Sequence, residues 1–109
     1  MPVEEVLRDL MSEKKAKRLT RGTGIEALSL APPAICTSDL CYDSANRLLS
    51  VVDRGDIGAL IFISQTADYL SPATSYYLQK RLDLSHDILA FDVNLGCSGF
   101  CYGVFLAAT

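Results

Sequence analysis

Cys97 is the residue of this chain best placed to do chemistry, because of what stands on either side of it. Before it, Asp87-Ile88-Leu89-Ala90-Phe91-Asp92-Val93 is a β-prone apolar run that breaks at Asn94-Leu95-Gly96. After it, the apolar run from Cys97 to Thr109 is long enough to be helical. A strand, a tight turn and a buried helix would place Cys97 in the first helical turn. Backbone N–H groups there lack intrahelical partners, and the positive end of the helix dipole favours an anion. A thiol in such a position has a lowered pKa, and the thiolate is the reactive form. The same N–H groups can hold the oxyanion of an acyl-transfer intermediate. Gly96 and Gly99 let the backbone turn sharply and admit a substrate closely. The chemistry invited is a covalent thioester on Cys97.

Composition alone would make such a cysteine inert, since free cysteine is among the most buried residue types. Its position, not its type, singles Cys97 out. A serine nucleophile elbow is a near miss: Gly96-Cys97-Ser98-Gly99 lacks the glycine two residues after the serine. The pairs Cys36/Cys41 and Cys97/Cys101 are not spaced as C-x-x-C, and the single histidine, His86, sits elsewhere, so no zinc site is expected. Disulfides need an oxidising compartment, of which there is no sign. Reduced thiols are expected, with Cys101 one turn beyond Cys97 on the same helix face. No metal or redox cofactor is expected.

The elements that must position Cys97 can be read from periodicity. Val3, Val6, Leu7, Leu10 and Met11 are spaced for an amphipathic helix over 3–11. Ser12 caps a second helical stretch with Glu13 in its first turn. That stretch carries Lys14, Lys15, Lys17, Arg18 and, just beyond, Arg21, a solvated basic face that could also dock an acidic partner. Gly22 and Gly24 punctuate a turn, and 25–31 is a strand or extended loop. Thr37 or Ser38 caps the next helix, with Asp39 in its first turn and a stripe of Cys41, Ala45, Leu48 and Val52; Gly55 ends it. Ile57 to Ile63 reads as a strand buried on both faces. Pro72 opens a helix through about Leu82, and the chain returns to a strand at Ile88. Strand, helix, strand makes a right-handed βαβ unit, so the class is α/β with a parallel sheet whose second strand delivers Cys97.

The 109 residues bound the chain to one domain at most, and 50% hydrophobic residues make it too apolar to be disordered. A net charge of -3 argues against a general nucleic-acid binder. No apolar run reaches the ~20 residues that would span a bilayer, and the acidic, amphipathic start is unlike a signal peptide. A cytoplasmic enzyme, with no membrane partner, is the default expectation. Only two convincing strands are present, and the run at Ala107-Ala108-Thr109 carries no helix stop signal, so the chain is expected to be a piece of a larger domain.

Three segments carry a family resemblance. Ala90-Phe91-Asp92-Val93-Asn94-Leu95-Gly96-Cys97-Ser98-Gly99-Phe100 resembles the active-site segment of the β-ketoacyl-acyl-carrier-protein synthase III family of thiolase-like condensing enzymes. There the pattern is AFDV, three small residues, then Cys-Ala/Ser-Gly-Phe. Gly22-Thr23-Gly24-Ile25-Glu26 is similar to that family's Arg-Thr-Gly-Ile-x-Glu/Arg, and Thr66-Ala67-Asp68-Tyr69-Leu70-Ser71-Pro72-Ala73-Thr74 to its Thr-Pro-Asp-Tyr-x-x-Pro-x-Thr. Together they cover roughly residues 19 to 109 in the family's order.

The resemblance implies a partial thiolase-like fold, with residues 1–109 the incomplete N-terminal half. It implies an acyltransferase in which Cys97 is the nucleophile and lends its own N–H to the oxyanion. An acyl group would pass from an acyl-CoA or acyl-carrier-protein thioester to Cys97, and decarboxylation of a malonyl thioester would supply the attacking carbanion, as in fatty acid biosynthesis. A homo-oligomer is implied, since that family dimerises through this half. The family's catalytic histidine and asparagine lie in its second half, and no residue here takes their place. Leu70 and Ser71 fall at the substrate pocket, where some members carry, at the position of Ser71, a phenylalanine lining the neighbouring subunit's acyl pocket. Departures are informative: the chain has no tryptophan, and Gly22 stands at the place of an arginine that helps hold coenzyme A, with Arg21 one residue earlier. Rival readings are a hydroxymethylglutaryl-CoA synthase-like or ester-forming enzyme of the same fold, and a non-catalytic assembly subunit.

Overall fold

A computed structural model describes residues 1–109, and the chain divides into two units, Met1–Ala34 and Ile35–Thr109. In the first, the helix expected over 3–11 is a single turn, α1 (Val3–Val6). Leu10 is 76% exposed and has nothing to pack on, and a short helix without tertiary burial is marginal in water. The basic stretch is α2 (Glu13–Thr23), entered at Ser12 and running through Gly22. Gly24, at φ +70°, is the stop, because the left-handed C-cap conformation is strained for residues with a Cβ. Residues 25–31 are extended, with one antiparallel bridge between Pro2 and Ala27; Val3 donates to the Glu26 carbonyl at 3.1 Å and Leu28 to that of Met1 at 2.9 Å. Val3 and Ala16 are the buried apolar residues of this unit.

The second unit runs α3 (Thr37–Leu48), a 3₁₀ turn (Arg54–Asp56), β1 (Ala59–Ile63), α4 (Thr74–Arg81), β2 (Leu89–Val93) and α5 (Gly99–Ala108). The two strands are parallel, with Ala59 beside Leu89 and Ile63 beside Val93. This is the βαβ unit expected from the sequence. Leu60 and Phe62 face α4, where Phe62, Leu78, Leu82 and Leu84 form the core. Ile63 faces the other way, against α5: a Cβ at Gly99 would stand 2.7 Å from Ile63 Cγ2, and one at Gly103 would collide with Ile63 Cδ1. Those glycines let the helix approach the strand.

Several local expectations shift. Cys36, not Thr37 or Ser38, is the N-cap of α3, and its N–H donates to Asp39 Oδ2 at 3.0 Å. The helix ends at Leu48, well before Gly55, and its core-facing stripe is Cys41, Tyr42, Ala45 and Leu49. Leu48 is exposed, and Val52 lies beyond the helix. At about 100° per residue, Cys41, Ala45, Leu49 and Tyr42 share an arc of roughly 100°, and Leu48 falls about 20° outside its edge. Asp39 also receives Arg81 at 2.7 Å, and the Arg81 guanidinium lies 4.3 Å from the Tyr42 ring centre, which fastens α3 to α4. That Arg81 hydrogen bond, and then the Cys36 N–H, hold the Asp39 carboxyl below its ordinary range.

The larger correction concerns burial. The helix expected to be buried is covered on one side only: Phe100 is 80% exposed and Phe105 65%, and of α5 only Gly99 is buried. The strands, patterned for two covered faces, are mostly half-buried. Within this chain one sheet face has α3 and α4 to pack on, and the other has α5 alone. No helix is long and apolar enough to cross a membrane.

Candidate active site

β2 ends at Val93, and the turn that follows is tightened by two short-range bonds. Leu95 N–H donates to the Val93 carbonyl at 3.1 Å and Gly99 N–H to that of Gly96 at 2.8 Å. Cys97 therefore sits in the turn, two residues before α5 begins, and not in its first helical turn as the apolar run implied. Ser98 is the N-cap, and the first bond back from the helix to the cap is from Tyr102 N–H to Ser98 O, at 3.2 Å. The N–H groups of Cys97, Ser98, Phe100 and Cys101 make no hydrogen bond within the chain. Cys97 is exposed among them.

This helix start differs from its neighbours in one respect. Asp68 accepts from Ser38 N–H at 3.2 Å and Asp39 from Cys36 N–H, so two carboxylates occupy the start of α3. Asp92 reaches from β2 to the start of α4 and accepts from Thr74 N–H at 2.7 Å and Ser75 N–H at 2.8 Å. At α5 there is no acidic residue in the first turn and no side-chain cap. Negative charge placed there by a reacting group would meet unpaired donors and no competing carboxylate. Such an arrangement stabilises the oxyanion formed when a thiol adds to a thioester carbonyl.

The other cysteines have different surroundings. Cys41 is half-buried, and burial, then the Asp68 charge, pushes its thiol pKa up. Cys36 is exposed beside Asp39, and Cys101 lies on α5, exposed. No group of three His, Cys, Asp or Glu side chains is brought together in a way that could hold a metal. His86 precedes β2 whereas Cys97 follows it; five strand residues at about 3.3 Å each keep the two roughly 16 Å apart. Leu70 is fully exposed and Ser71 exposed, in the loop before α4. On the first unit, Lys17 is paired with Glu13, while Lys14, Lys15, Arg18 and Arg21 are exposed and form no ion pair.

Two groups at this turn escape a reading of the sequence. Asp92 left a visible signal, a lone charge inside an apolar strand, but the helix it caps could not be named from spacing. Gln65 left none; its carboxamide rests on Gly96 because the loop after β1 folds over the turn. An apolar cleft of about 450 Å³ also runs beside β1, lined by Leu60 to Ile63 and by Cys41, Ala45, Leu78, Leu95 and Gly99. Four consecutive strand residues can share one cleft only along the strand's unpaired edge.

The same arrangement recurs in known proteins. A 3-oxoacyl-acyl-carrier-protein synthase from Burkholderia xenovorans superposes with a TM-score of 0.84 at 32% identity, over 98% of this chain and 31% of that one. A 3-oxoacyl-acyl-carrier-protein synthase III structure does so at 0.83 and 34%, over 96% and 32%. A Campylobacter jejuni protein bearing the name 3-oxoacyl-acyl-carrier-protein synthase 3 is 33% identical over 109 residues, 96% of this chain. The chain is homologous to the synthase III family. It spans about 31% of the length of that curated relative. OleA from Xanthomonas campestris, 27% identical with a TM-score of 0.78, matches 99% of this chain and 35% of its own. The synthase III homologue thus has the fold of thiolase-like condensing enzymes over about a third of their length. No protein-family model matches it.

Proposed function

We propose that this chain carries the acyl-accepting half-site of a condensing acyltransferase, with Cys97 as the nucleophile. The observation that carries the reading is the exposed thiol set among four unpaired N–H groups at the only helix start of its unit that no carboxylate occupies. Thiolate attack on an acyl thioester forms the Cys97–acyl bond and releases the carrier thiol; the N–H groups hold the intermediate's oxygen. Acyl-CoA or acyl-carrier-protein thioesters are the proposed donors and a malonyl thioester the proposed acceptor, in fatty acid or related biosynthesis. As proposed, the reaction needs no metal or redox cofactor. A synthase III-like reaction is preferred to an OleA-like one on identities of 32% and 34% against 27%.

Incubated with acetyl-CoA, the 109-residue chain is expected to gain one acetyl group slowly, mapped to Cys97 by peptide mass spectrometry and absent from Cys97→Ala. Acetylation spread over the other cysteines, or no acetylation at all, contradicts the reading. Self-association belongs to the same proposal. The outer edge of β2 is unpaired and α5 presents Phe100, Tyr102, Val104 and Phe105 to solvent, which favours pairing with another copy. Light scattering at micromolar concentration is expected to report a dimer or larger species; a stable folded monomer sinks this part.

A further inference from the structure

The loop after β1 does more than return the chain to α4. A Cβ built on Gly96 would stand 2.7 Å from the Gln65 carboxamide carbon, 2.7 Å from Oε1 and 2.8 Å from Nε2. Three nearly equal distances mean that the carboxamide lies against the open side of the Gly96 Cα. The loop around it is held: Thr66 Oγ1 lies 3.1 Å from Thr37 Oγ1 and 3.3 Å from Ser64 Oγ, and Asp68 is bonded to the start of α3. Those neighbours are tied to one another, yet Gln65 Oε1 and Nε2 make no hydrogen bond within the chain. An exposed amide with no partner in the chain is therefore set against the residue that precedes Cys97.

We propose that Gln65 touches the substrate, its Nε2 donating a hydrogen bond to the thioester group that acylates Cys97. The inference rests on Cys97 being the acylated nucleophile. A neutral carboxamide offers this donor at any working pH without placing a charge beside the thiol. Its hydrogen bond strengthens as negative charge gathers on the attacked carbonyl oxygen, so it favours the transition state over the free thioester. Gln65 is thus a second arm of the site, reaching across from the β1 loop to the turn that holds Cys97.

Two substitutions and two reagents test it. Gln65→Ala removes the amide, and Gln65→Met keeps its length without a donor. Both are expected to slow Cys97 acetylation by acetyl-CoA about tenfold or more, the effect of one lost hydrogen bond that forms fully only in the transition state. Alkylation by iodoacetamide attacks no carbonyl and is expected to change by less than about twofold. Acetylation that is unchanged in both variants overturns the contact with substrate. Acetylation and alkylation that fall together show that Gln65 only holds the turn, which also overturns it. A wild-type chain whose Cys97 takes no acetyl group defeats the underlying reading, and the inference with it.

Discussion

Asp92→Ala is expected to destabilise the second unit by roughly 3 kcal/mol, the largest loss from any single side chain outside the apolar core. Asp92 holds the N–H groups of Thr74 and Ser75 at 2.7 and 2.8 Å, and both of those residues are wholly buried. Alanine would leave two buried donors with no acceptor, as well as removing the cap of α4. For a unit of this size the loss lowers the thermal midpoint by roughly 10–25 °C. Asp92→Asn keeps one acceptor and should cost about 1 kcal/mol, because hydrogen bonds to a charged oxygen are the stronger kind. Circular dichroism melts of the three proteins check the order. A change below about 0.5 kcal/mol in Asp92→Ala would mean that water reaches those donors and that the cap is incidental. The consequence for function is positional: Asp92 stands five residues before Cys97, so the strand that carries the thiol is fastened to α4 by its own side chain.

The second large effect is an absence. The 109-residue chain is expected to yield no measurable 3-oxoacyl product from acetyl-CoA and a malonyl thioester, even while Cys97 is acetylated. Attack on the acyl-cysteine requires a carbanion, and groups that stabilise it as carbon dioxide leaves. The one histidine, His86, is at the wrong end of β2, and no other general acid or base is bonded into the Cys97 turn. Such groups contribute ~10²–10⁴-fold each, so lacking several removes useful turnover. Chromatography of the reaction mixture reads the outcome. Sustained product that disappears in Cys97→Ala would show that the 109-residue chain has condensing machinery beyond the residues named above.

The βαβ unit was legible because its signals are local and strong. An apolar run at 57–63, a proline before α4 and a helix-length return to the strand at 88 fix strand, helix and strand without reference to anything distant. The turn that carries Cys97 was legible from the break at Asn94-Leu95-Gly96. What failed were features that depend on partners. The 3–11 periodicity is genuine, but Leu10 has nothing to bury against, so only one turn of α1 forms. The apolar character of α5 predicts burial, yet one sheet face of this chain offers a single helix to cover it. The start of α5 was placed two residues early because a turn of small residues and a helical turn look alike in composition, and Gly99 N–H closing on Gly96 O decides between them. Gln65 over Gly96 and Asp92 on α4 are contacts between segments distant in sequence, and no spacing rule reports them.

Competitive alkylation reads the Cys97 thiol directly, with no substrate in the way. Exposure alone ranks Cys36, Cys97 and Cys101 together and Cys41 last. The arrangement of helix starts ranks them differently. Cys36 shares its helix start with Asp39 and Asp68, and Cys101 lies a turn inside α5, whereas Cys97 has unpaired N–H groups and no carboxylate. Brief treatment with limiting iodoacetamide near neutral pH, followed by peptide mapping, should show Cys97 labelled about tenfold faster than Cys36 or Cys101, the upper range of what a helix start contributes. Equal labelling of Cys36, Cys97 and Cys101 in the folded chain would contradict the account.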